Sequence, residues 1–131
     1  MKRTLTVILC CVSLLVHASA PWFVGFDELV EEVASALKVG HAKKLSNTFA
    51  NSLTLSVKRE DGTYTKFQAE LLLEDFFRSN KVEHLKELQR VNNSSNSYIV
   101  FSLKTNKSTY RVFIKLSNNN KQFQVVEMRI E

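Results

Sequence analysis

The stretch "DGTYTKFQAELLLEDFFRSN", residues 61–80, decides the fold because it combines a turn, a helix start and a very apolar helix. Asp61-Gly62 is a strong tight-turn signal. Thr65 and Gln68 have the spacing of a capping box, in which each side chain accepts a hydrogen bond from the other residue's backbone N–H. The sequence therefore predicts a turn at 61–62 and a helix that begins after Thr65.

The predicted helix carries apolar side chains around much of its circumference. Its main stripe consists of Ala69, Leu72, Leu73 and Phe76, and the residues that widen it are Phe67, Leu71 and Phe77. A stripe this wide predicts a helix held against a curved sheet. Glu74 and Arg78 form a favourable i,i+4 pair on the polar side. We expect Leu72 to be buried, so that Leu72→Asp abolishes folding.

The residues before this stretch predict two helices and a strand. Asp27 is expected to cap the first helix, and Gly40 is expected to end it in a left-handed conformation. A second, short helix is predicted to place Ala42, Leu45 and Phe49 on one side. Strict alternation in "LTLSVK", residues 53–58, predicts a half-buried strand with Leu53, Leu55 and Val57 inside and Thr54, Ser56 and Lys58 outside.

The second half of the chain predicts a sheet. A weak run at 82–91 is either a strand or partly helical, and three stronger runs follow: "YIVFSLKT", "TYRVFIKL" and "KQFQVVEMRI". The run that starts at Thr109 alternates between two sets of residues: Tyr110, Val112, Ile114 and Leu116 on one face, and Arg111, Phe113 and Lys115 on the other. Helices followed by consecutive antiparallel hairpins predict an α+β fold.

The N-terminus has the pattern of a signal peptide. Lys2 and Arg3 precede an apolar run at 5–16 that is shorter than a typical membrane span. Cleavage is predicted after Ala18, with Ala20 as the alternative that Pro21 disfavours. This leaves residues 19–131 as one domain, exported to the periplasm or the extracellular space, with no membrane span after cleavage. The alternative is an uncleaved membrane anchor.

Composition narrows the chemistry of the mature chain. Cys10 and Cys11 both lie in the predicted signal peptide, so no disulfide or thiolate metal site is expected. Leu9 is not the small residue that lipidation of Cys10 requires. Loss of Lys2 and Arg3 lowers the net charge from +5 to +3, too mild to favour nucleic acid as a partner. No cofactor or metal motif is present, and neither is expected.

Four stretches carry a family resemblance: "LKVGHAKKLSNTF", "DGTYTKFQAELLLEDFF", "STYRVFIKL" and the terminal "MRIE". Together they resemble a family of small secreted bacterial proteins of unknown function, found mainly in the Bacteroidota. The resemblance implies a nuclear transport factor 2-like fold, a cone in which a strongly curved antiparallel sheet surrounds helices. It implies no reaction. The family usually has glycine where this chain has Phe101, so we predict a largely filled interior with at most a small pocket near the open end.

Cones of this type often hold a ligand at their open end, and the enzymes among them pair an acid with a tyrosine, a second acid or a histidine. The pocket candidates in this chain are Tyr98, Tyr110, Phe76, Phe77, Phe101 and Glu127. A buried Glu127 would have a raised pKa and could act as a base. Alternation instead groups Glu127 with Val125 and Arg129 on an outward face. His41, His84 and Asp75 are expected at the surface.

Three classes of function remain open. The first is a non-enzymatic exported binding or accessory domain for an unknown ligand or protein partner. The second is a small-molecule enzyme, isomerase-like or dehydratase-like, that uses the cone interior. The third is an interaction protein that forms a homodimer through its sheet. Arg111, Lys115 and Arg129 are predicted to share an outer face with Phe113, either as a docking surface for an acidic glycan or protein or as an ordinary solvated face.

Overall fold

The computed structural model describes residues 24–119 and 122–131, so the predicted signal peptide and its cleavage site lie outside the described residues. The helices are α1 (Phe26–Val39), α2 (Ala42–Ser46) and α3 (Lys66–Ser79). The strands are β1 (Phe49–Val57), β2 (Glu60–Thr65), β3 (Val82–Asn92), β4 (Ser97–Thr105), β5 (Thr109–Asn119) and β6 (Gln122–Ile130). They form one curved sheet in the order β2-β1-β6-β5-β4-β3, antiparallel except for the parallel pair β1–β6. The α+β prediction is confirmed.

The core lies between the helices and one face of the sheet. Helix α1 contacts β3 and β6, and α3 contacts β1 and β2. The inward residues of β4 and β5 are buried in this layer: Ile99, Phe101, Leu103, Val112 and Ile114. Each large apolar side chain buried in this way contributes about 1.5–3 kcal/mol. Phe101, only 1% exposed, therefore occupies space in the interior.

The predicted ends of the first two helices are partly right. Gly40 ends α1 in the left-handed conformation, with φ 63°, as predicted. Asp27 does not cap α1: Gly25 is the N-cap, and Asp27 lies in the first turn, where a carboxylate still interacts favourably with the helix dipole. Phe49 begins β1 and is not part of α2. The Thr48 hydroxyl donates to the Leu45 carbonyl at 2.6 Å, satisfying a carbonyl group at the helix end.

The prediction of a turn at Asp61-Gly62 is wrong. The two residues between β1 and β2 are Lys58 and Arg59, with φ of 50° and 73°. A type I′ hairpin turn has a positive φ at both central residues, as these two have. Gly62 instead pairs with Leu55 inside the ladder. The earlier turn lengthens β2 and sets Tyr64 opposite Leu53, where it packs against the core.

Strand β1 departs from its predicted alternation at one residue. Leu53 and Leu55 are buried as expected, but Ser56, predicted to be outside, is only 1% exposed. Ser56 lies between Asp61 of β2 and Arg129 of β6, because β1 has a neighbouring strand on each side. Its hydroxyl makes no hydrogen bond within the described residues.

Helix α3 begins with the predicted capping box: the Thr65 N–H donates to Gln68 Oε1 at 3.0 Å, and the Gln68 N–H donates to Thr65 Oγ1 at 3.2 Å. Its buried residues are Ala69, Leu73, Phe76 and Phe77. Leu72 is 41% exposed, so the prediction that it is buried is wrong. The apolar stripe is wider than the face that the sheet covers, and Leu72 lies at its margin.

The remaining strands follow the predicted order, and residues 82–91 lie in strand β3. Strand β5 alternates as predicted. Strand β6 does not, because a register shift separates the pairs Lys115–Glu127 and Leu116–Val125. This bulge puts Val125 in the core although Glu127 faces outward, which corrects the predicted grouping of these two residues.

Candidate ligand-binding site

A half-open pocket of about 240 Å³ lies between the β1–β2 hairpin and the C-terminal half of α3. We call it the hairpin pocket. Its lining residues are Leu55, Val57, Lys58, Glu60, Tyr64, Leu72, Asp75, Phe76, Ser79 and Asn80. The pocket exists because α3 exposes Leu72 at its margin and because the early turn brings Lys58 beside the end of the helix.

Buried hydrogen bonds hold one side of the hairpin pocket. The Tyr110 hydroxyl donates to Asn80 Oδ1 at 2.9 Å, and Asn80 Nδ2 donates to the Phe76 carbonyl at 2.9 Å. The Phe76 ring meets the Tyr110 ring edge-to-face, with 5.2 Å between their centroids. Because Asn80 is 1% exposed, each of its polar atoms needs a protein partner. These bonds fix the end of α3 against β5.

Lys58 supplies a cation at the edge of the pocket. Its Nζ lies 5.9 Å from the centroid of the Phe76 ring and 5.8 Å from that of Tyr110, within the range of cation–π attraction. Its backbone N–H donates to the Ile130 carbonyl at 2.8 Å, which ties the turn to β6. Asp75 also lines the pocket, but its side chain is 79% exposed and pairs with Arg78 at 3.4 Å.

The sequence-predicted site residues divide between two faces of the sheet. Phe76 lines the hairpin pocket, Tyr110 supports it, and Phe77 and Phe101 lie in the core. Tyr98 and Glu127 lie on the opposite face. Sequence reasoning missed Lys58, Tyr64 and Asn80 as pocket residues. The position of Asn80, directly after the apolar helix, is a signal in the sequence that could have identified it. Lys58 has no such signal, because it reaches the pocket only through the hairpin turn.

Another concave feature, which we call the outer-face groove, lies on the sheet face away from the helices and has a volume of about 380 Å³. Its lining residues are Asn96, Ser97, Tyr98, Phe113, Lys115, Glu127 and Arg129. The rings of Tyr98 and Phe113 lie 5.5 Å apart between centroids, at 34°. Arg129 Nε donates to Glu127 Oε1 at 2.7 Å, and this hydrogen bond raises the pKa of Arg129. The predicted outward position of Glu127 beside Arg129 is what the structure has.

Both histidines of the described residues are exposed. His41 is the N-cap of α2, where its Nδ1 accepts from the Lys44 N–H at 3.1 Å. Within residues 24–119 and 122–131, no three His, Cys, Asp or Glu side chains gather as a metal site would require. The same part of the chain contains no helix with the length and hydropathy of a membrane span.

The chain has a nuclear transport factor 2-like fold. One similar structure is an NTF2-like protein of unknown function from Cytophaga hutchinsonii, with a TM-score of 0.60 at 9% identity, covering 82% of this chain and 89% of that one. The sequence also matches a family that is more narrowly defined than this fold class. A family model described as a domain of unknown function (DUF4783) matches residues 30–131, and the chain belongs to this family.

Two solved members of the family show the same fold. The protein from Bacteroides ovatus has a TM-score of 0.72 at 23% identity, covering 76% of this chain and 90% of that one. The protein from Bacteroides uniformis has a TM-score of 0.74 at 20% identity, covering 77% and 94%. No protein with a curated description matches this sequence. The family resemblance read from the sequence is confirmed.

Proposed function

We propose that this chain is a non-enzymatic binding domain of an exported protein and that the hairpin pocket takes a small molecule with an apolar body and an anionic group. The observation that carries this proposal is the position of Lys58, whose ammonium group lies over two aromatic rings at the edge of a partly apolar pocket. An anionic group would pair with that ammonium. Leu55, Leu72 and Phe76 would contact the apolar body.

The size of the pocket limits the ligand. Small-molecule sites usually measure about 300–1,000 Å³. The hairpin pocket, at about 240 Å³, is below that range, which supports a compact ligand of roughly one ring.

The position of the acids supports binding over catalysis. A catalytic carboxylate works best with a pKa near the working pH, which usually requires burial or a close like charge. The two acids of the hairpin pocket, Glu60 and Asp75, are both exposed, and Asp75 is paired with Arg78. Glu127 is paired with Arg129 on the other face, far from Tyr110 in the fold. An isomerase-like or dehydratase-like reaction is therefore the weaker candidate.

Export rests on the N-terminal sequence alone. The proposal predicts that the chain collected from a bacterial host's periplasm or medium begins at Ser19, or at Pro21 if the alternative site is used. Mass spectrometry of the intact exported protein measures this directly. A chain that stays in the cytoplasm with Met1 intact contradicts export but leaves the pocket assignment open.

The pocket assignment is tested by NMR titration with three single-ring probes: benzoate, benzyl alcohol and benzylammonium. We expect saturable shifts at Leu55, Tyr64 and Leu72, with benzoate binding most tightly. Lys58→Gln should reduce the preference for benzoate. Leu72→Trp should fill the pocket and so weaken the binding of all three probes. Lys107→Gln, which removes the same charge from the β4–β5 loop, is the control and should leave binding unchanged. Equal affinities for all three probes, or no saturable shifts at these residues, would refute the assignment.

A further inference from the structure

We infer that the outer-face groove is a second binding site, separate from the hairpin pocket, and that its ligand is an acidic saccharide. The inference begins with two aromatic rings on the sheet face away from the helices. Tyr98 of β4 and Phe113 of β5 lie 5.5 Å apart between centroids, at 34°, and both are partly exposed. Val100, the cross-strand neighbour of Phe113, is 1% exposed on this face, so the side chains around it form a closed layer over the sheet.

A pair of tilted rings suits the face of a sugar. One face of a pyranose presents C–H groups whose hydrogens carry partial positive charge, and the face of an aromatic ring is negative. The hydroxyl groups of a sugar also need polar partners at the edge of such a platform. Asn96 and Ser97 line the same groove and offer an amide and a hydroxyl group there.

The backbone of this face disfavours an extended peptide as the ligand. Peptides that add to sheets obtain affinity from main-chain hydrogen bonds at a free strand edge. Tyr98 and Phe113 lie on interior strands, and the β4–β5 ladder pairs Tyr98 with Lys115 and Val100 with Phe113. A ligand of the outer-face groove must therefore bind through the aromatic rings and the polar side chains. These are the groups that contact a saccharide in a binding site.

The charge of the face favours an acidic saccharide. Arg111 and Lys115 each lie two residues from Phe113 along β5, so their Cα atoms lie about 7 Å from that of Phe113 in opposite directions. Among the described residues, neither side chain lies within 4.0 Å of a carboxylate oxygen. The cross-strand neighbour of Lys115 is Glu127, whose carboxylate is bound to Arg129 instead. Two cations that have no salt-bridge partner among the described residues, beside an aromatic platform, match a sugar that carries carboxylate groups.

The test measures three probes by isothermal titration calorimetry at low salt: tetragalacturonate, uncharged maltotetraose, and tetraglutamate, an acid without sugar rings. We expect tetragalacturonate to bind most tightly. Tyr98→Ala should weaken tetragalacturonate by about fivefold or more, as expected for the loss of one aromatic platform, and should leave tetraglutamate unchanged. Lys115→Gln should weaken both acids and spare maltotetraose. Lys107→Gln, which removes the same charge from the β4–β5 loop, should have no effect.

Several results would overturn the inference. Equal binding of tetraglutamate and tetragalacturonate would make the face a general surface for polyacids. Unchanged affinity in Tyr98→Ala, or no binding of tetragalacturonate, would remove the saccharide site. A dimer in sedimentation that Tyr98→Ala dissociates would show that a second copy covers the face. Phe113→Thr repeats the test on the other strand if Tyr98→Ala fails to fold, and circular dichroism melts establish which variants are folded.

Discussion

Removing the hydroxyl of Tyr110 tests the buried hydrogen bond that ties α3 to β5. This hydroxyl donates to Asn80 Oδ1 at 2.9 Å, and the two residues are 8% and 1% exposed, respectively. Tyr110→Phe keeps the ring and its edge-to-face contact with Phe76 but leaves the Asn80 oxygen buried without that donor. An unsatisfied buried polar group costs about 1–3 kcal/mol, so we expect a loss of about 2 kcal/mol in the free energy of unfolding.

Asn80→Ala should cost more, because it removes two hydrogen bonds. It deletes the bond to Tyr110 and the bond from Nδ2 to the Phe76 carbonyl, although the backbone N–H of residue 80 still reaches that carbonyl at 2.9 Å. We expect about 2–4 kcal/mol. The double variant should be little worse than Asn80→Ala, because Tyr110→Phe acts through Asn80. The coupling energy should be about 1 kcal/mol or more.

Urea denaturation measures these losses as shifts in the midpoint with an unchanged slope. In thermal melts, each kcal/mol should lower Tm by about 3–6 °C for a domain of this size. Tyr98→Phe is the matched control, since its hydroxyl accepts from exposed Gln89 at 3.2 Å on the outer face. If Tyr110→Phe unfolds at the same urea concentration as Tyr98→Phe, or if the double variant is strictly additive, the reasoning fails.

Three further predictions follow from backbone conformation and burial. Leu73→Asp should prevent folding in circular dichroism because Leu73 is fully buried, whereas Leu72→Asp, at a site 41% exposed, should still melt cooperatively. Arg59→Gly should raise the free energy of unfolding measured in urea by about 0.5–1 kcal/mol, because the φ of Arg59 is 73° and glycine adopts this left-handed conformation without strain. Gly40→Ala should lower that free energy, because a Cβ at residue 40 would lie 3.2 Å from the Phe77 ring. Ser56→Ala should raise the free energy of unfolding measured in urea by about 1 kcal/mol, because it removes a buried hydroxyl that has no partner among the described residues.

Features set by neighbours in the chain could be predicted from the sequence. The capping box of Thr65 and Gln68 requires only a spacing of three residues. Gly40 ends α1 because a glycine follows the last apolar position of a helical pattern. The alternation along β5 is visible in its own residues. Each of these is a local rule, and each is confirmed.

Features set by pairing between strands could not be predicted in the same way. The hairpin turn falls at Lys58-Arg59, although Asp61-Gly62 has the stronger local signal, because the longer β2 gains paired residues with β1. The bulge in β6 follows from its register with β5, and no residue type near Val125 indicates a bulge in the sequence. Leu72 and Leu73 are chemically identical, and only the docking angle of α3 decides which one is buried.

The same limit applies to the candidate sites. Tyr110 and Phe76 were predicted as pocket residues, but the pocket they support is completed by Lys58 and Asn80, which come from a turn and a helix end. Tyr98 and Glu127 were placed in the same set, and the sheet separates them from Tyr110. An alternating pattern tells which residues share a strand face. It does not tell which strand faces converge on one pocket.

The filled core explains why both candidate sites lie at margins of the fold. Phe101, Ile99 and Met128 occupy the space between helices and sheet, each at most 1% exposed, so the interior has little room for a ligand. Concave surface remains where packing ends. One such place is the hairpin, where α3 presents more apolar surface than the sheet covers, and the other is the outer face, where none of the described helices covers Tyr98 and Phe113. The burial that stabilises this small domain, whose described residues contain no cysteine, therefore leaves the two candidate sites at its margins.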